Sequence, residues 1–286
     1  MLTQPSLRRV RLQKVYRDHV QIEKDLVTVE EPLEIRLTFE RAGQVEIKPI
    51  AITMRTPGED FELAAGFLFN EGVLHRRDDV QAIRYCVDAT ADVEQKYNIV
   101  TVQLRPGVVF DEARLQRNFF MTSSCGVCGK AALDSLAIQG CSTLPSTPTI
   151  SADTVRSLDA QLKKAQALFA KTGGLHAAAL FDVNGRFISL HEDVGRHNAL
   201  DKLVGTQFLI GTHSLHQHIL MLSGRVSFDL MQKALAARIP IVVAIGAPSS
   251  LAVELAQQFN ITLIGFARGD CFNVYSGAAR MLETYP

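Results

Sequence analysis

The chain is 286 residues long, 47% hydrophobic and 21% charged, with 30 Lys+Arg set against 30 Asp+Glu. That composition belongs to a globular protein with a sizeable core and room for two domains, and it excludes a disordered or fibrous chain. The net charge of zero gives no reason to expect nucleic-acid or membrane-surface binding, so any basic site must be local.

The first twenty residues carry Arg8, Arg9, Arg11, Lys14 and Arg17 without an apolar core, so they do not read as a secretory signal. No later apolar run is long enough to span a bilayer, and a cytoplasmic protein is expected. From Val27 to Leu104 the pattern is short and alternating, with strands predicted at Leu33 to Phe39, Val45 to Met54, Ala82 to Val87 and Asn98 to Leu104. One helix interrupts them. Thr56-Pro57-Gly58-Glu59-Asp60 is a turn and start signal, after which Phe61, Ala64, Ala65 and Leu68 recur at helical spacing until Gly72. Residues 1–120 therefore read as a smaller β-rich domain.

The second domain, residues 121–286, opens on Ser123-Ser124-Cys125-Gly126-Val127-Cys128-Gly129-Lys130. Two thiols three positions apart at a helix start face uncompensated N–H groups, which favour thiolate. Lys130 adds positive charge. Five cysteines, with the only close pair in this turn, suit reactive or metal-binding thiols better than a disulfide framework. After a helix from Lys130 to Ile138 and a loop from Cys141 to Thr149, Ser151 caps a long helix. Its predicted buried face is Val155, Leu158, Leu162, Ala165 and Phe169, and Gly173-Gly174 ends it.

The chain then alternates. Strands are predicted at His176 to Phe181, Phe187 to Asp193, Ile219 to Leu222, Ile241 to Ile245 and Ile261 to Phe266. Helices are predicted at Asn198 to Val204, Val226 to Arg238 and Ser250 to Phe259. Such alternation argues a three-layer α/β domain with a partly parallel sheet.

Four of these strands run into loops of one character: Asp193-Val194-Gly195-Arg196-His197, Ser223-Gly224-Arg225-Val226-Ser227, Gly246-Ala247-Pro248-Ser249 and Ala267-Arg268-Gly269-Asp270. Parallel strands would bring their glycines, arginines and hydroxyls to one edge beside helix N-termini, an arrangement suited to phosphate. Asp270 is a candidate acceptor for the N–H edge of a guanine. No Gly-x-Gly-x-x-Gly fingerprint or Walker A lysine loop is present. His197 and Asp201, at i and i+4, share a helix face, either as a ligand-positioning or proton-handling pair or as parts of an ordinary capped helix. His176 and His191 read as satisfied core or edge histidines.

Three chemistries fit the cysteine pair: half of a zinc site, thioredoxin-like exchange, and sulfur transfer through a persulfide. The first lacks a second ligand pair at the usual spacing. The second lacks the preceding Trp and the βαβ context. The third needs an exposed thiolate, a positive field and an acceptor nearby.

Several motifs together resemble one family, the formate dehydrogenase accessory sulfurtransferases (FdhD). They are Thr56 to Asp60 with Gly66-Phe67-Leu68, Ser124 to Lys130, Glu192 to Ala199, Ser223 to Arg225, and Gly265 to Arg268. The resemblance implies a cytidine-deaminase-like α/β/α core, a homodimer, and a sulfurtransferase taking sulfur from a cysteine desulfurase. It implies delivery to the molybdenum cofactor, bis-molybdopterin guanine dinucleotide, in support of formate dehydrogenase. By the same resemblance Cys125 bears the persulfide and Cys128 relays or resolves it. Phe266, Ala267, Arg268, Gly269, Asp270 and Cys271 match the cofactor-binding segment, beside Arg196, His197, Ser223, Gly224 and Arg225 from the loop reading. A chaperone that binds the cofactor without transferring sulfur is the alternative.

Overall fold

The computed structural model describes residues 5–86, 97–112, 141–212 and 214–282. It begins with a hairpin that the alternation does not reveal, β1 (Leu7–Val15) paired antiparallel with β2 (Val20–Thr28). Neither of its faces is buried, so Val15, Val20 and Ile22 stay exposed among arginines and lysines and no period-2 signal arises.

A four-stranded sheet follows, ordered β4-β3-β6-β5, from β3 (Glu31–Arg41), β4 (Gln44–Arg55), β5 (Val80–Tyr85) and β6 (Ile99–Leu104). These match the four predicted strands. Ala42 and Gly43 take positive φ (52° and 77°) in the two-residue turn between β3 and β4, the twist that suits a tight hairpin. Leu33, Ile35, Leu37 and Phe39 point to one face, where α1 (Asp60–Asn70) lays Leu63, Ala64 and Leu68 on them. Each such buried side chain contributes roughly 1.5–3 kcal/mol relative to exposure.

The second sheet has six strands in the order β12-β11-β10-β9-β7-β8. They are β7 (His176–Asp182), β8 (Phe187–Asp193), β9 (His218–Leu222), β10 (Ile241–Ala244), β11 (Thr262–Arg268) and β12 (Cys271–Ser276). Strands β9, β10 and β11 are parallel, and β7 is antiparallel to both β8 and β9, so β8, β9, β10 and β11 run one way and β7 the other. One face, Ala177, Ala179, Phe181, Ile219 and Ile241, packs against Val155, Leu158 and Leu162 of α2 (Ala152–Ala165). The other face packs against α4 (Arg196–Leu209), α5 (Phe228–Ala236) and α6 (Ser250–Gln258).

Two expectations need correction. The helix capped by Ser151 stops at Ala165 instead of continuing to Gly173, and Phe169 is 41% exposed. The chain breaks because the N–H groups of Leu168 and Phe169 donate to the Glu192 carboxylate (2.9 and 2.7 Å), which starts the separate short helix α3 (Phe169–Thr172). The stretch Ala267 to Asp270, expected as a loop after the strand, is instead the end of β11 and a tight turn. Arg268 pairs with Cys271 across a tight turn with Gly269 at φ 58°, and β12 returns antiparallel along the edge.

The four-stranded sheet meets the six-stranded one through α1 and α4, whose backbones touch. A Cβ at Gly66 would sit 1.9 Å from Asp201 O, and one at Gly205 would sit 1.8 Å from Glu62 O. Only glycine permits this approach.

Candidate functional site

The strand directions put the ends of β8, β9, β10 and β11, and the start of β7, at one edge of the sheet. The junction from β8 into α4 is fixed from beneath by a buried ionic network. Asp193 is fully buried and its Oδ2 lies 2.7 Å from Lys202 Nζ, itself 1% exposed. Oδ2 also accepts from Thr56 N–H (3.1 Å), and Oδ1 accepts from Gly195 N–H (2.8 Å) and Asn198 Nδ2 (3.1 Å). Lys202 donates to Thr56 O (3.0 Å) and Glu192 O (3.3 Å), and Asn198 donates to Met54 O (2.7 Å). Thus the Thr56 turn and the Glu192 to Lys202 run are two halves of one structural joint. Close by, His191 Nδ1 lies 3.0 Å from Glu59 Oε1. Burial works against ionisation of Glu59, but the His191 contact and the charge of Lys202 together outweigh it and hold the carboxyl below its ordinary range.

His197 and Asp201 do share a face, and that face meets α5. Asp201 accepts from Lys233 Nζ (2.7 and 2.9 Å) and from Asn70 Nδ2 (2.6 Å), and is therefore a packing residue. His197 Nε2 lies 3.7 Å from Asp229 Oδ2, beyond hydrogen-bond reach. The ring's proximity, ahead of an opposing effect of burial, keeps the Asp229 carboxyl below its usual range.

Above this joint the loops lie side by side. Gly246 N–H donates to Gly224 O (3.0 Å), Phe266 N–H to Gly246 O (3.2 Å), and Arg268 Nε to Ile245 O (3.2 Å). The parallel ladder thus continues past the strand ends. Phe266 is left-handed (φ 53°) and 45% exposed, an uncommon conformation for an aromatic residue. Arg225, Arg268, Gly269, Asp270 and Cys271 are exposed around it, and Ala267 is buried beneath. Ser223 Oγ accepts from Ala177 N–H (2.8 Å), tying β9 to the start of β7.

Three buried polar atoms at this edge have no hydrogen-bond partner: Arg196 Nε, Ser227 Oγ and His197 Nε2, which has only the longer contact with Asp229. Ser227 is the N-cap of α5 yet accepts no capping hydrogen bond, and α4 begins after Gly195 with no side-chain cap and no acid in its first turn. Uncapped helix starts, a buried guanidinium nitrogen and a hydroxyl, none of them hydrogen-bonded, are donors of the kind that suit an anion. His176 belongs to the same group. Burial first, then the charges of Arg196, His197 and Arg225, push its pKa below the usual value. Beside this group a cleft of about 340 Å³ is bounded by α2, the Gly173-Gly174 turn and the strand ends, with Asp159, Lys163, Gln166, His176 and Ser223 among its walls.

Cys125 and Cys128 lie outside the described residues, as does the predicted helix from Lys130 to Ile138. The residues that loop chemistry marked, Arg196, His197, Ser223, Gly224, Arg225 and Phe266 to Cys271, are gathered at one edge. Sequence reasoning missed Ser227 as an open cap, His176 as a half-buried ring beside the cationic group, and Asp159 in the cleft. The first had a signal, since Ser227 ends a glycine- and arginine-bearing loop just before a helix.

Fold and site together define a mixed α/β protein with paired sheets and a strand-end edge that gathers glycines, arginines and two helix starts. The FdhD/NarQ family profile matches residues 29–282, and the chain belongs to that family. It is 50% identical to a sulfur carrier protein FdhD of Streptomyces avermitilis over 90% of this chain and 89% of that protein. It is 46% identical to a sulfur carrier protein FdhD of Mycobacterium tuberculosis over 95% of this chain and 97% of that one. Its fold resembles a crystal structure described as that of a formate dehydrogenase accessory protein from Desulfotalea psychrophila, with TM-score 0.73 and 23% identity over 97% of this chain and 100% of that one.

Proposed function

We propose that this protein is a sulfur carrier that loads Cys125 with a persulfide and passes the sulfur to a molybdenum cofactor held at the strand-end edge. In the loading step the Cys125 thiolate attacks the terminal sulfur of a cysteine desulfurase persulfide. One S–S bond forms, another breaks, and the desulfurase leaves as a thiolate. Cys128 relays the sulfane sulfur, or resolves it by attacking Cys125 Sγ, so that a Cys125–Cys128 disulfide forms and the outer sulfur leaves as sulfide, the two electrons coming from the cysteine pair. The acceptor is bis-molybdopterin guanine dinucleotide, whose phosphates match the donor set of Arg196, His197, Ser227, Arg225 and Arg268, and the enzyme served is formate dehydrogenase. The reading includes a cytoplasmic homodimer, a division into residues 1–120 and 121–286, and a cytidine-deaminase-like core.

The sulfur half is supported by relatives described as sulfur carrier proteins and matched over nine-tenths of the chain. The cofactor half is carried by one observation, the cluster of buried, unspent donors at the starts of α4 and α5. Incubation with a desulfurase and cysteine, followed by mass spectrometry, tests the proposal. A gain of one sulfur on the Cys125 peptide, absent in Cys125→Ala, is the expected result. An unmodified peptide would leave a cofactor-binding chaperone as the better description.

A further inference from the structure

The two faces of the hairpin β1–β2 differ in charge. Directly opposite residues of an antiparallel pair share a face. On one face Arg11 stands opposite Lys24 with Arg9 beside them, and toward the turn the same face carries Ile22 and the Val15↔Val20 pair. That face holds three cations and no acid. The acids of the two strands, Glu23 and Asp25, lie on the other face, where Lys14 Nζ reaches Glu23 Oε2 at 3.3 Å. Arg9, Arg11 and Lys24 are exposed and make no ion pair among the described residues.

Two features make this face incomplete. Like charges directly opposite destabilise a ribbon, and nothing on the face offsets Arg11 against Lys24. A two-stranded ribbon is also marginally stable in water without cover, yet Val15, Val20 and Ile22 are 74%, 57% and 55% exposed. No described strand pairs with the outer edge of β1, and the unpaired N–H and C=O groups of such an edge are a template for added chain.

The charge pattern selects the occupant. β1 contains no acid, so pairing with β1 of a second copy, in any register, brings cation to cation. An anionic bilayer would meet the turn, where the Asp18 side chain is 84% exposed and is repelled by lipid of the same sign. Nucleic acid would take the arginines but leave Ile22 and the valines in water. An acidic polypeptide with an apolar end satisfies both halves of the face.

We propose that the basic face of β1–β2 docks an acidic peptide segment of a partner protein, which adds as an extended third strand along β1. Side chains of a strand return to one face every second residue. The segment therefore carries acids at alternate positions beside Arg9 and Arg11, and an apolar residue further along beside Val15. Neither the cysteine pair nor the strand-end edge takes part.

Fluorescence anisotropy on the full chain tests it, with a labelled peptide as long as β1, built of threonine and valine with two alternate glutamates, and with its lysine counterpart. The wild-type chain should bind the glutamate peptide and not the lysine one. Each cross-strand ion pair changes affinity about 1.4- to 5-fold, so Arg9→Gln with Arg11→Gln should weaken binding about 2- to 30-fold. Arg9→Glu with Arg11→Glu should lose the glutamate peptide and gain the lysine one, and a gain of binding cannot come from misfolding. Equal binding of both peptides by the wild-type chain, no binding of the glutamate peptide, or binding unchanged in the glutamate variant would overturn the proposal. So would a sedimentation-velocity dimer, or binding to phosphatidylglycerol vesicles, that the glutamate variant abolishes, because the face would then belong to a second copy or to lipid.

Discussion

The joint between the Thr56 turn and α4 predicts a large and cooperative stability loss when one charge is removed. At 2.7 Å the gross attraction between Lys202 and Asp193 is about 6 kcal/mol at an effective dielectric of 20, part of which offsets the desolvation of two buried ions. Lys202→Met keeps the stem but leaves the buried Asp193 carboxyl with three neutral donors and no cation, and leaves the Thr56 and Glu192 carbonyls without their shared partner. Breaking a buried pair from one side costs about 3–5 kcal/mol. For a chain near this size that corresponds to a fall in Tm of roughly 6–20 °C. Asp193→Asn should cost a comparable amount, and the double variant much less than the sum, because neither partner is then stranded. Thermal melts followed by circular dichroism measure all three. A single-variant loss below about 1 kcal/mol, or costs additive within about 0.5 kcal/mol, would refute the reasoning.

Gly66→Ala should destabilise by several kcal/mol and expose hydrophobic surface, since the new methyl overlaps Asp201 O; an unchanged urea midpoint would contradict that contact. Anion binding at the edge should be linked to proton uptake. In the free protein His176 is held neutral by burial and by its cationic neighbours, so folded stability is full above about pH 6.5 and declines as pH falls through that value toward the lowered pKa. A bound phosphate neutralises those cations and lets the ring protonate, so affinity for GDP should rise as pH falls below about 6.5. Calorimetry in buffers of different ionisation enthalpy should show uptake of a fraction of a proton, abolished in His176→Gln. Uptake that persists in the variant would assign the proton elsewhere.

Much of the fold was legible because burial on one face or on both leaves a period in the sequence. Leu33, Ile35, Leu37 and Phe39 alternate because α1 covers a single face of their sheet, and the near-continuous apolar runs of β9 and β10 follow from helices on both faces. β1, β2 and β12 left no such trace, since β1 and β2 form a solvated ribbon and β12 is a largely exposed edge strand. The loop positions around Arg196, Ser223 and Phe266 were readable from glycine and arginine punctuation, and their meeting at one edge follows from the shared direction of β8, β9, β10 and β11. Asp159 was not readable. An acidic residue inside an amphipathic helix has the same local signature whether its carboxylate meets water or a cleft, and only the fold of β11 and β12 over α2 decides between them.

The bare crossing of α1 and α4 has a mechanical outcome. At Gly66 and Gly205 the contact is backbone on backbone with no rotamer to rearrange, so α4 cannot slide or roll on α1 there without opening it. A push on the first turn of α4 is handed on undiminished to the distant four-stranded sheet, as through a welded bracket rather than a hinge.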